Sequence, residues 1–584
     1  MQEARTTLAQ FEVPPCWPLR GRLIAYDLRM LRAARESRLI AVIVIVVALI
    51  GASCSSKSAS TDDGNANVTA RGLATVVTTA AETTTPATTE PAATTTPATT
   101  TTSPPPTTTT VAPTTTTTEP GAAFRVAGWV VAENAKTGTT DWRIGADDPK
   151  GLIEGYLDTT SVNLGEKVKL FASTAAPEWH VEAYRMGWYH GAGGRLVWTS
   201  AAQAAQPQGY ATVDQKTGLA EAHWTPSLEI AVAGDWPPGD YLLKLVSSLQ
   251  GAHYVPLTVR DDRAPAGVLL VNAVTTWQAY NEWGGCSAYK CPFVKGLSRG
   301  SLVSFDRPYA HAYNKGSADF LDHELPLVSL VEELGLDAAY ATSIDLHRHP
   351  DVALKHRAVL SLGHDEYYTA AMRTALVDAR DHGVNLGFLG ANAMYRQIRL
   401  EPSSDGRPER TMANWRSTRD PGAAKDPKLA TVEFRSLGMA EHPIVGIGYV
   451  CAGVNAAMVL RDTKSWVYAG LDVRDGQALR NLVGNEADRA STEFKSPTNL
   501  EILAASPITC GQNASTAHMS YYAAPSGAGV FAVGTIWWIC ALDGQICSRP
   551  ENVPVVRGIT INVLKAFVAG PAGTAHPSTA NART

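Results

Sequence analysis

The second half of the chain alternates short apolar runs with amphipathic stretches, a pattern typical of an α/β domain built on a parallel sheet. Apolar runs at residues 268–271, 358–362 and 384–389 predict strands. Between the last two runs, apolar side chains recur at helical spacing over residues 372–379. Gly383 follows, as is typical just beyond the end of a helix. Strand, turn, helix and strand therefore follow one another here.

Further elements extend this pattern on both sides. Residues 301–305 predict a strand, and residues 326–334 predict a helix with proline in its first turn and a glycine as its stop. Later in the chain, residues 529–539 predict a strand and residues 555–567 predict a closing helix. We therefore predict one α/β domain with a mostly parallel sheet over residues 263–575.

Residues 124–262 show a different pattern, in which stretches of alternating apolar and polar residues are separated by turn residues. The alternation is clearest at residues 168–172 and 181–185, and a turn cluster at residues 236–240 leads into a last strand. Short strands of this kind predict a β-sandwich of about 140 residues. The predicted fold class is thus multidomain, a β-sandwich followed by the α/β domain, with a disordered tail at residues 576–584.

The N-terminus has the pattern of a targeting segment. Arginines precede an apolar run at residues 39–50, small residues follow, and Cys54 comes directly after them. This order is typical of a secretory signal, and the run is shorter than the roughly 20 residues of a spanning helix. We predict a signal or anchor over residues 1–54, with three alternatives: a lipid on Cys54, an uncleaved anchor, or ordinary cleavage. Translation from Met30 is an alternative to translation from Met1.

Threonine, proline and alanine dominate the next part of the chain, from residue 76 to residue 120. Such a composition offers no apolar face to bury, so we predict a disordered stalk over residues 55–123. A stalk behind a signal indicates an exported protein, anchored to the cell membrane or held in the cell envelope. A plain disordered linker is the alternative.

Charge and cysteine content narrow the class of protein. The formal net charge is −5 and the sequence has no basic stripe, so nucleic acid is not an expected partner. Beyond residue 123 lie Cys286, Cys291, Cys451, Cys510, Cys540 and Cys547. An even number of cysteines in an exported chain indicates disulfides. Proximity favours the pairs Cys286–Cys291 and Cys540–Cys547 and leaves Cys451 for Cys510, although other connectivities are open.

Chemically useful side chains follow three of the predicted strands. His364 and Glu366 come directly after one strand, and Asn392 follows the next. An aromatic-rich loop that follows an earlier strand carries Tyr280 and Tyr289. In parallel sheets the turns after the strands lie at one edge, where ligands bind. We therefore expect these five side chains to lie at one edge of the sheet.

Two phenolates and a carboxylate form a hard oxygen set, which suits a trivalent iron better than zinc or copper. Such an ion would lower the phenol pKa from its ordinary value of about 10. It could polarise an amide carbonyl and activate water, with His364 moving the proton and Asn392 donating to the oxyanion. The simpler interpretation is that the tyrosines pack, while His364 and Glu366 pair or cap the next helix. No GxSxG motif follows the strand that ends at Leu362, which disfavours acyl-enzyme catalysis.

Six motifs resemble the large (beta) subunit of N,N-dimethylformamidase, and more closely the exported proteins that carry the C-terminal domain of that subunit. They are TWQAYN at 276–281, GGCSAY at 284–289, GHDEY at 363–367, LGAN at 389–392, YRMGWY at 184–189 and SFDRPY at 304–309. The resemblance covers most of residues 150–570. It implies that the α/β domain is glutamine-amidotransferase-like.

The resemblance also implies a mononuclear, ferric iron held by two tyrosines and a glutamate, with a histidine and an asparagine nearby. On this sequence these residues fall on Tyr280, Tyr289, Glu366, His364 and Asn392. The loop before Tyr289 is shorter than in the family, so Tyr309 is the alternative second tyrosine.

These observations lead to one preferred function and one rival. We predict an exported, envelope-tethered, metal-dependent hydrolase that acts on the carbon–nitrogen bond of a small amide. The rival is a non-catalytic envelope-binding protein that kept the fold and lost the metal. The small partner subunit of the formamidase is not visible in this sequence, and the substrate and oligomeric state cannot be inferred from it.

Overall fold

The computed structural model of the chain describes residues 126–544 and 549–581. The predictions for residues 1–54 and 55–123, which include the signal, the lipid on Cys54 and the stalk, lie outside the described residues. Cys547 lies outside them as well.

The N-terminal part of the described chain is built on one large sheet. Its elements, with a small ribbon and a preceding helix, are Gly128–Asn134 (α1), Ile153–Leu157 (β1), Ser161–Asn163 (β2), Lys167–Met186 (β3), Gly194–Thr199 (β4), Gln203–Gln206 (β5), Thr212–Val213 (β6), Ala220–Glu221 (β7), Leu228–Ala231 (β8), Gly239–Ser247 (β9) and Ala252–Arg260 (β10). The strand order of this eight-stranded sheet is β1-β3-β9-β10-β2, and β4, β5 and β8 also pair with β3. The ribbon consists of β6 and β7.

The strand β3 differs from prediction. The stretches at 168–172 and 181–185 belong to one strand of 20 residues, not to two strands. The first half of β3 pairs with β1 and β8, and its second half pairs with β4 and β9. Each half therefore has its own pair of neighbouring strands. Pro177 lies between the halves, where the pairing with β5 shifts register. A proline cannot donate a hydrogen bond to a neighbouring strand, which explains why the sequence pattern is interrupted there.

The C-terminal part is an α/β domain. Its strands are Val268–Asn272 (β11), Leu302–Ser304 (β12), Ala338–Thr342 (β13), Ala358–Leu362 (β14), Tyr367–Tyr368 (β15), Asn385–Leu389 (β16), Arg396–Gln397 (β17), Arg399–Glu401 (β18), Thr411–Ala413 (β19), Gly448–Val459 (β20), Ala478–Arg489 (β21), Glu501–Cys510 (β22), Asn513–Ala523 (β23) and Gly529–Ala532 (β24). Its helices are Val274–Tyr280 (α2), Phe320–His323 (α3), Leu325–Glu333 (α4), Ser343–Arg348 (α5), Ala370–Asp381 (α6), His442–Val445 (α7), Val553–Ala569 (α8) and Ala572–Ala575 (α9).

The central sheet of this domain has seven strands in the order β13-β11-β14-β16-β24-β23-β22. The first five are parallel, and β23 runs antiparallel to both of its neighbours. Both faces are buried, because Leu270 and Leu360 pack in one core with α4 and α8, whereas Leu269 and Val359 pack in a second core with α6. Burial on both faces explains why these strands are continuously apolar in sequence.

One helix of the described chain, at Pro550–Ala569, is long and apolar enough to cross a membrane, with a mean hydropathy of 1.2. Val556, Ile559 and Phe567 of this segment pack in the core of the central sheet. Core helices of water-exposed proteins pass the same test, so its length and composition are weak evidence for a membrane span.

Two predictions near the C-terminus are wrong. The strand predicted at 529–539 ends at Ala532, because the chain then turns into a 3₁₀ helix at Ile536–Ala541. Residues 576–581 do not form a disordered tail. The Ala523 amide donates to Ser578 Oγ at 2.8 Å, and the Ile502 amide donates to Asn581 Oδ1 at 2.7 Å, so this segment lies beside β22 and β23.

The predicted disulfides Cys286–Cys291 and Cys451–Cys510 are both present, which confirms these two pairs. The second bridge joins β20 to β22. Cys540 is disulfide-bonded as well. Its pairing with Cys547 stays a prediction, because that residue lies outside the described part of the chain.

A buried ion pair joins the β-rich part to the α/β domain. Arg185 on β3 donates to both carboxylate oxygens of Glu332 on α4, at 2.6 and 3.1 Å, and both side chains are 0% exposed. Gly187 is needed beside this pair, because a Cβ atom there would lie 2.2 Å from Glu332 Oε2. These contacts explain why arginine and glycine stand close together in the YRMGWY motif.

Candidate metal centre

The predicted site residues follow the carboxyl ends of three neighbouring strands, β11, β14 and β16. The segment after β11 was expected to be a loop, but it forms the helix α2, and Tyr280 is the last residue of that helix. A buried carboxylate explains the local fold: Glu324 accepts hydrogen bonds from the Ala273 amide at 3.1 Å and from the Trp277 indole at 2.8 Å. These bonds hold the first turns of α2 against the domain.

Two glycines bring the next two turns together. A Cβ atom on Gly390 would lie 1.5 Å from the carbonyl oxygen of Gly363, so only glycine fits there. Gly363 itself has a φ of +55°, in the left-handed region that favours glycine, and it packs closely on His323. The turn that carries His364 and the turn that carries Asn392 are therefore in backbone contact.

Three oxygen atoms converge at this edge of the sheet. The Tyr280 hydroxyl lies 2.7 Å from the Tyr289 hydroxyl and 3.2 Å from Glu366 Oε2, and the Tyr289 hydroxyl lies 2.8 Å from the same Oε2. The two phenol rings stack at 4.3 Å. Tyr309, the alternative second tyrosine, contacts Trp277 and Tyr313 instead.

His364 lies beside this oxygen cluster. Its Nε2 atom is 3.7 Å from Glu366 Oε2 and 3.2 Å from Glu486 Oε2, in the arrangement of an ion pair between two carboxylates. Burial alone would lower the pKa of His364, but the charges of Glu486 and Glu366 outweigh burial and raise it to about 9. The histidine is thus suited to carry a proton next to the cluster.

Asn392 is on the neighbouring turn and makes no hydrogen bond to the other four predicted residues within the described structure. Its backbone amide donates to Asp488 Oδ1 at 2.9 Å, and its φ is +59°. Its side-chain oxygen is buried and has no partner among the described residues. The structure therefore places Asn392 near the site without assigning it a contact there.

Several residues of the site were missed by the sequence analysis. Arg396 Nε donates to Glu366 Oε1 at 2.6 Å, and the Tyr367 hydroxyl donates to the Tyr289 hydroxyl at 2.7 Å. Arg416 donates to the Tyr367 hydroxyl. The position of Tyr367 next to Glu366 was the only signal in the sequence, since the two arginines and Glu486 come from later segments with no motif of their own.

Buried polar groups orient the ligand-bearing segments. The Glu366 amide donates to Thr276 Oγ1 at 3.0 Å, and the Thr275 hydroxyl donates to the Tyr367 carbonyl at 2.8 Å, so α2 is tied to the turn after β14. Arg307 donates to the carbonyls of Trp283 and Cys286 at 2.9 and 2.7 Å. It therefore holds the loop between the two tyrosines, which accounts for the SFDRPY motif.

The donor set consists of oxygen atoms alone, a type of ligand that suits a small, hard cation. Burial, and then the charge of Glu366, raises the pKa of Tyr280 well above its ordinary value, and the same causes raise that of Tyr289. Two buried phenols against a carboxylate offer only oxygen donors, within 3.2 Å of one another. Among the described residues no group of three His, Cys, Asp or Glu is placed to hold a metal.

The chain thus consists of a β-rich part followed by an α/β domain. The candidate metal centre lies at the carboxyl edge of the parallel sheet in that domain. The family of N,N-dimethylformamidase beta subunit-like proteins, C-terminal part, matches residues 180–552. This match spans more than half of the chain and includes every candidate ligand, and the chain belongs to that family.

The individual proteins that match the chain have low sequence identity to it. The chain is 24% identical over 295 residues to the N,N-dimethylformamidase beta subunit of Alcaligenes sp, a match that covers 44% of this chain and 38% of that protein's length. A crystal structure of a Paenibacillus sp. cycloisomaltooligosaccharide glucanotransferase aligns at 12% identity over 20% of this chain and 15% of that one. Its TM-score of 0.13 is too low to bear on the fold.

Proposed function

We propose that the protein hydrolyses the carbon–nitrogen bond of a small amide, with a single iron ion held by Tyr280, Tyr289 and Glu366. The observation that carries this proposal is the convergence of three oxygen donors at the edge of a sheet where α/β proteins bind their ligands. Membership of a family named after an amidase subunit supports the reaction class. The rival is a binding protein on the same fold with no metal.

Bound at this site, a ferric ion would act as a Lewis acid toward the amide carbonyl and toward a water molecule. The overall reaction adds water across the C–N bond: the carbonyl carbon gains a C–O bond, the C–N bond breaks, and the amine leaves with a proton. His364 is the buried group placed to move that proton, because its Nε2 lies 3.7 Å from Glu366 Oε2 at the rim of the cluster.

The other residues of the site orient the proposed ligands and stabilise charge during the reaction. Arg396 engages Glu366 Oε1 and leaves Oε2 facing the two phenols. Glu486 stabilises the positive charge of His364 during proton transfer. Asn392, on the turn in contact with that of His364, would donate a hydrogen bond to the developing oxyanion once substrate is bound.

Metal analysis of the purified chain tests this function. We expect near-stoichiometric iron and a visible colour, because phenolate-to-iron charge transfer absorbs visible light. Tyr280→Phe should lose colour and iron, whereas Tyr309→Phe is the matched control and should keep both. His364→Gln should keep iron and lose roughly 10²–10⁴-fold in turnover. A colourless protein that stays inactive toward small amides after anaerobic iron loading would support the binding-protein rival instead.

We also propose that the protein is exported and held in the cell envelope, and that its α/β domain is of the glutamine-amidotransferase type. The signal-like N-terminus supports export, as do the two disulfides, since such bonds persist in oxidising compartments. Five neighbouring parallel strands, extended by the antiparallel strand β23 and by β22, support the domain type. Digestion of the protein by protease added to intact cells would support the location, and full protection would contradict it.

A further inference from the structure

Two arginines contact residues of the oxygen cluster, and a third lies on a neighbouring segment. Arg396 is paired, since it donates to Glu366 and, at 2.6 Å, to Glu433 Oε1. Arg416 has no carboxylate partner among the described residues; its guanidinium lies 4.3 Å from the centre of the Tyr289 ring and bonds the Tyr367 hydroxyl. The third is Arg299, which has no hydrogen bond or ion pair within the part of the chain that the structure describes.

Arg299 is nevertheless held in place by its backbone. On one side the Cys291 amide donates to the Ser298 carbonyl at 3.0 Å, and on the other the Gly300 amide donates to the Ser287 carbonyl at 2.7 Å. Two residues after Arg299, the Ser301 carbonyl accepts from the Asn414 backbone amide at 2.8 Å. The segments of Arg299 and Arg416 therefore run side by side. Arg299 is half-buried. Burial, and then the charges of Arg416 and Arg396, lower its pKa.

Unpaired polar atoms accompany this excess of positive charge. The two nearby carboxylates, Glu366 and Glu433, both pair with Arg396. Arg416 Nε is buried without a hydrogen-bond partner. Asn414 is 1% exposed, and neither atom of its side-chain amide is bonded within the described structure. A guanidinium left without an anion is costly when it is partly buried, unless a ligand supplies the anion.

We propose that Arg299 and Arg416 form a carboxylate-binding subsite, and that the substrate is a short amide that carries a carboxylate within a few bonds of the scissile C–N bond. An N-acylated α-amino acid is the class that meets this description. The proposal rests on the proposed amide hydrolysis. Its basis is geometric, because Arg416 lies on the ring of Tyr289, whose hydroxyl belongs to the oxygen cluster, so an anion held there is close to the reacting carbonyl.

A matched pair of amides separates charge from shape. N-acetylglycine carries the carboxylate, and N-isobutylacetamide is its neutral isostere. We expect the purified full chain to have the higher kcat/KM for N-acetylglycine, and Arg299→Gln to lower the ratio of the two kcat/KM values roughly 10-fold, since a charge-assisted hydrogen bond is lost. Arg419→Gln removes an exposed arginine three residues from Arg416 and should leave the ratio unchanged.

Binding of N-acetylglycine, measured by calorimetry, distinguishes the two proposals. Equal kcat/KM values for both amides, unaltered in Arg299→Gln, would overturn the subsite and leave the amidase standing. If neither amide is hydrolysed but N-acetylglycine binds and Arg299→Gln weakens that binding about 10-fold, the subsite stands and the amidase fails. If neither amide is hydrolysed and N-acetylglycine does not bind, both proposals are overturned.

Discussion

The ion pair between Arg185 and Glu332 allows a quantitative test of how the two parts of the chain are held together. In Arg185→Met the carboxylate of Glu332 stays fully buried and keeps only the Tyr340 hydroxyl at 2.5 Å and the Asn134 amide at 2.9 Å. The carbonyl of Pro238 also loses its donors, at 2.9 and 3.0 Å. Removing one partner of a buried ion pair costs about 3–5 kcal/mol, and the carbonyl adds to that cost.

Such a loss is a large fraction of the 5–15 kcal/mol, roughly, that stabilises a folded domain. We expect the urea midpoint of Arg185→Met to fall clearly at pH 7, with intrinsic tryptophan fluorescence as the signal and the disulfides intact. The double variant Arg185→Met with Glu332→Leu is the control. It should recover much of the loss, because replacing both charges by apolar groups of similar size is often neutral or stabilising.

Recovery of stability in the double variant would distinguish a charge effect from a packing effect. If the double variant is as unstable as the sum of the two single variants, the two side chains act independently and the ion-pair argument fails. A loss of less than about 1 kcal/mol in Arg185→Met would refute it as well, because that is the size expected of an exposed pair.

Three further predictions concern other buried contacts. Arg307→Lys should weaken iron binding at the proposed site without unfolding the chain, because a lysine cannot hold the Trp283 and Cys286 carbonyls together. Iron titration of the variant against the parent measures this. Gly390→Ala should yield little folded protein, because its Cβ would collide with the backbone of the neighbouring turn, whereas Gly234→Ala, at an open position without a left-handed φ, should yield normal amounts. Burial lowers the pKa of His253 to about 3, so between about pH 6.5 and 3 the unfolded chain takes up a proton that the folded chain does not, and stability falls as the pH drops. In His253→Phe this acid loss should shrink by up to about 1.4 kcal/mol per pH unit in denaturation curves from pH 7 to pH 4.

Local signals in the sequence predicted the elements that pack against the whole domain. The strand at β14 and the helix α6 were predicted, because their apolar spacing reflects burial on known faces. The helix α2 was missed, because its first turn is stabilised by Glu324, a buried carboxylate more than 40 residues later in the chain. The tail at 576–581 was missed for a related reason: Ser578 and Asn581 dock by hydrogen bonds to backbone, which leave no hydrophobic pattern.

The site shows the same division between local and distant information. Each predicted ligand follows a strand, and strand ends can be read from the sequence. The charges around the ligands cannot be read in this way. Arg396 reaches Glu366 because β17 pairs with β15 in parallel, and Glu486 reaches His364 from β21. Neither pairing has a sequence motif, although both set the charge that the ligands experience.

The charges around Glu366 bear on how an active member of the family would differ from a binding protein on the same fold. Arg396 occupies Glu366 Oε1, so a cation at the cluster would meet one oxygen of that carboxylate rather than two. A positive charge so close to the carboxylate also opposes a cation, and the two phenols must release their protons to compensate. At the proposed iron site, the affinity for a cation would therefore depend on Arg396 and its second partner, Glu433, as well as on the ligands. A chain could keep all three proposed ligand residues and still fail to bind a metal after a change at Glu433, because Arg396 would then place its whole charge on Glu366.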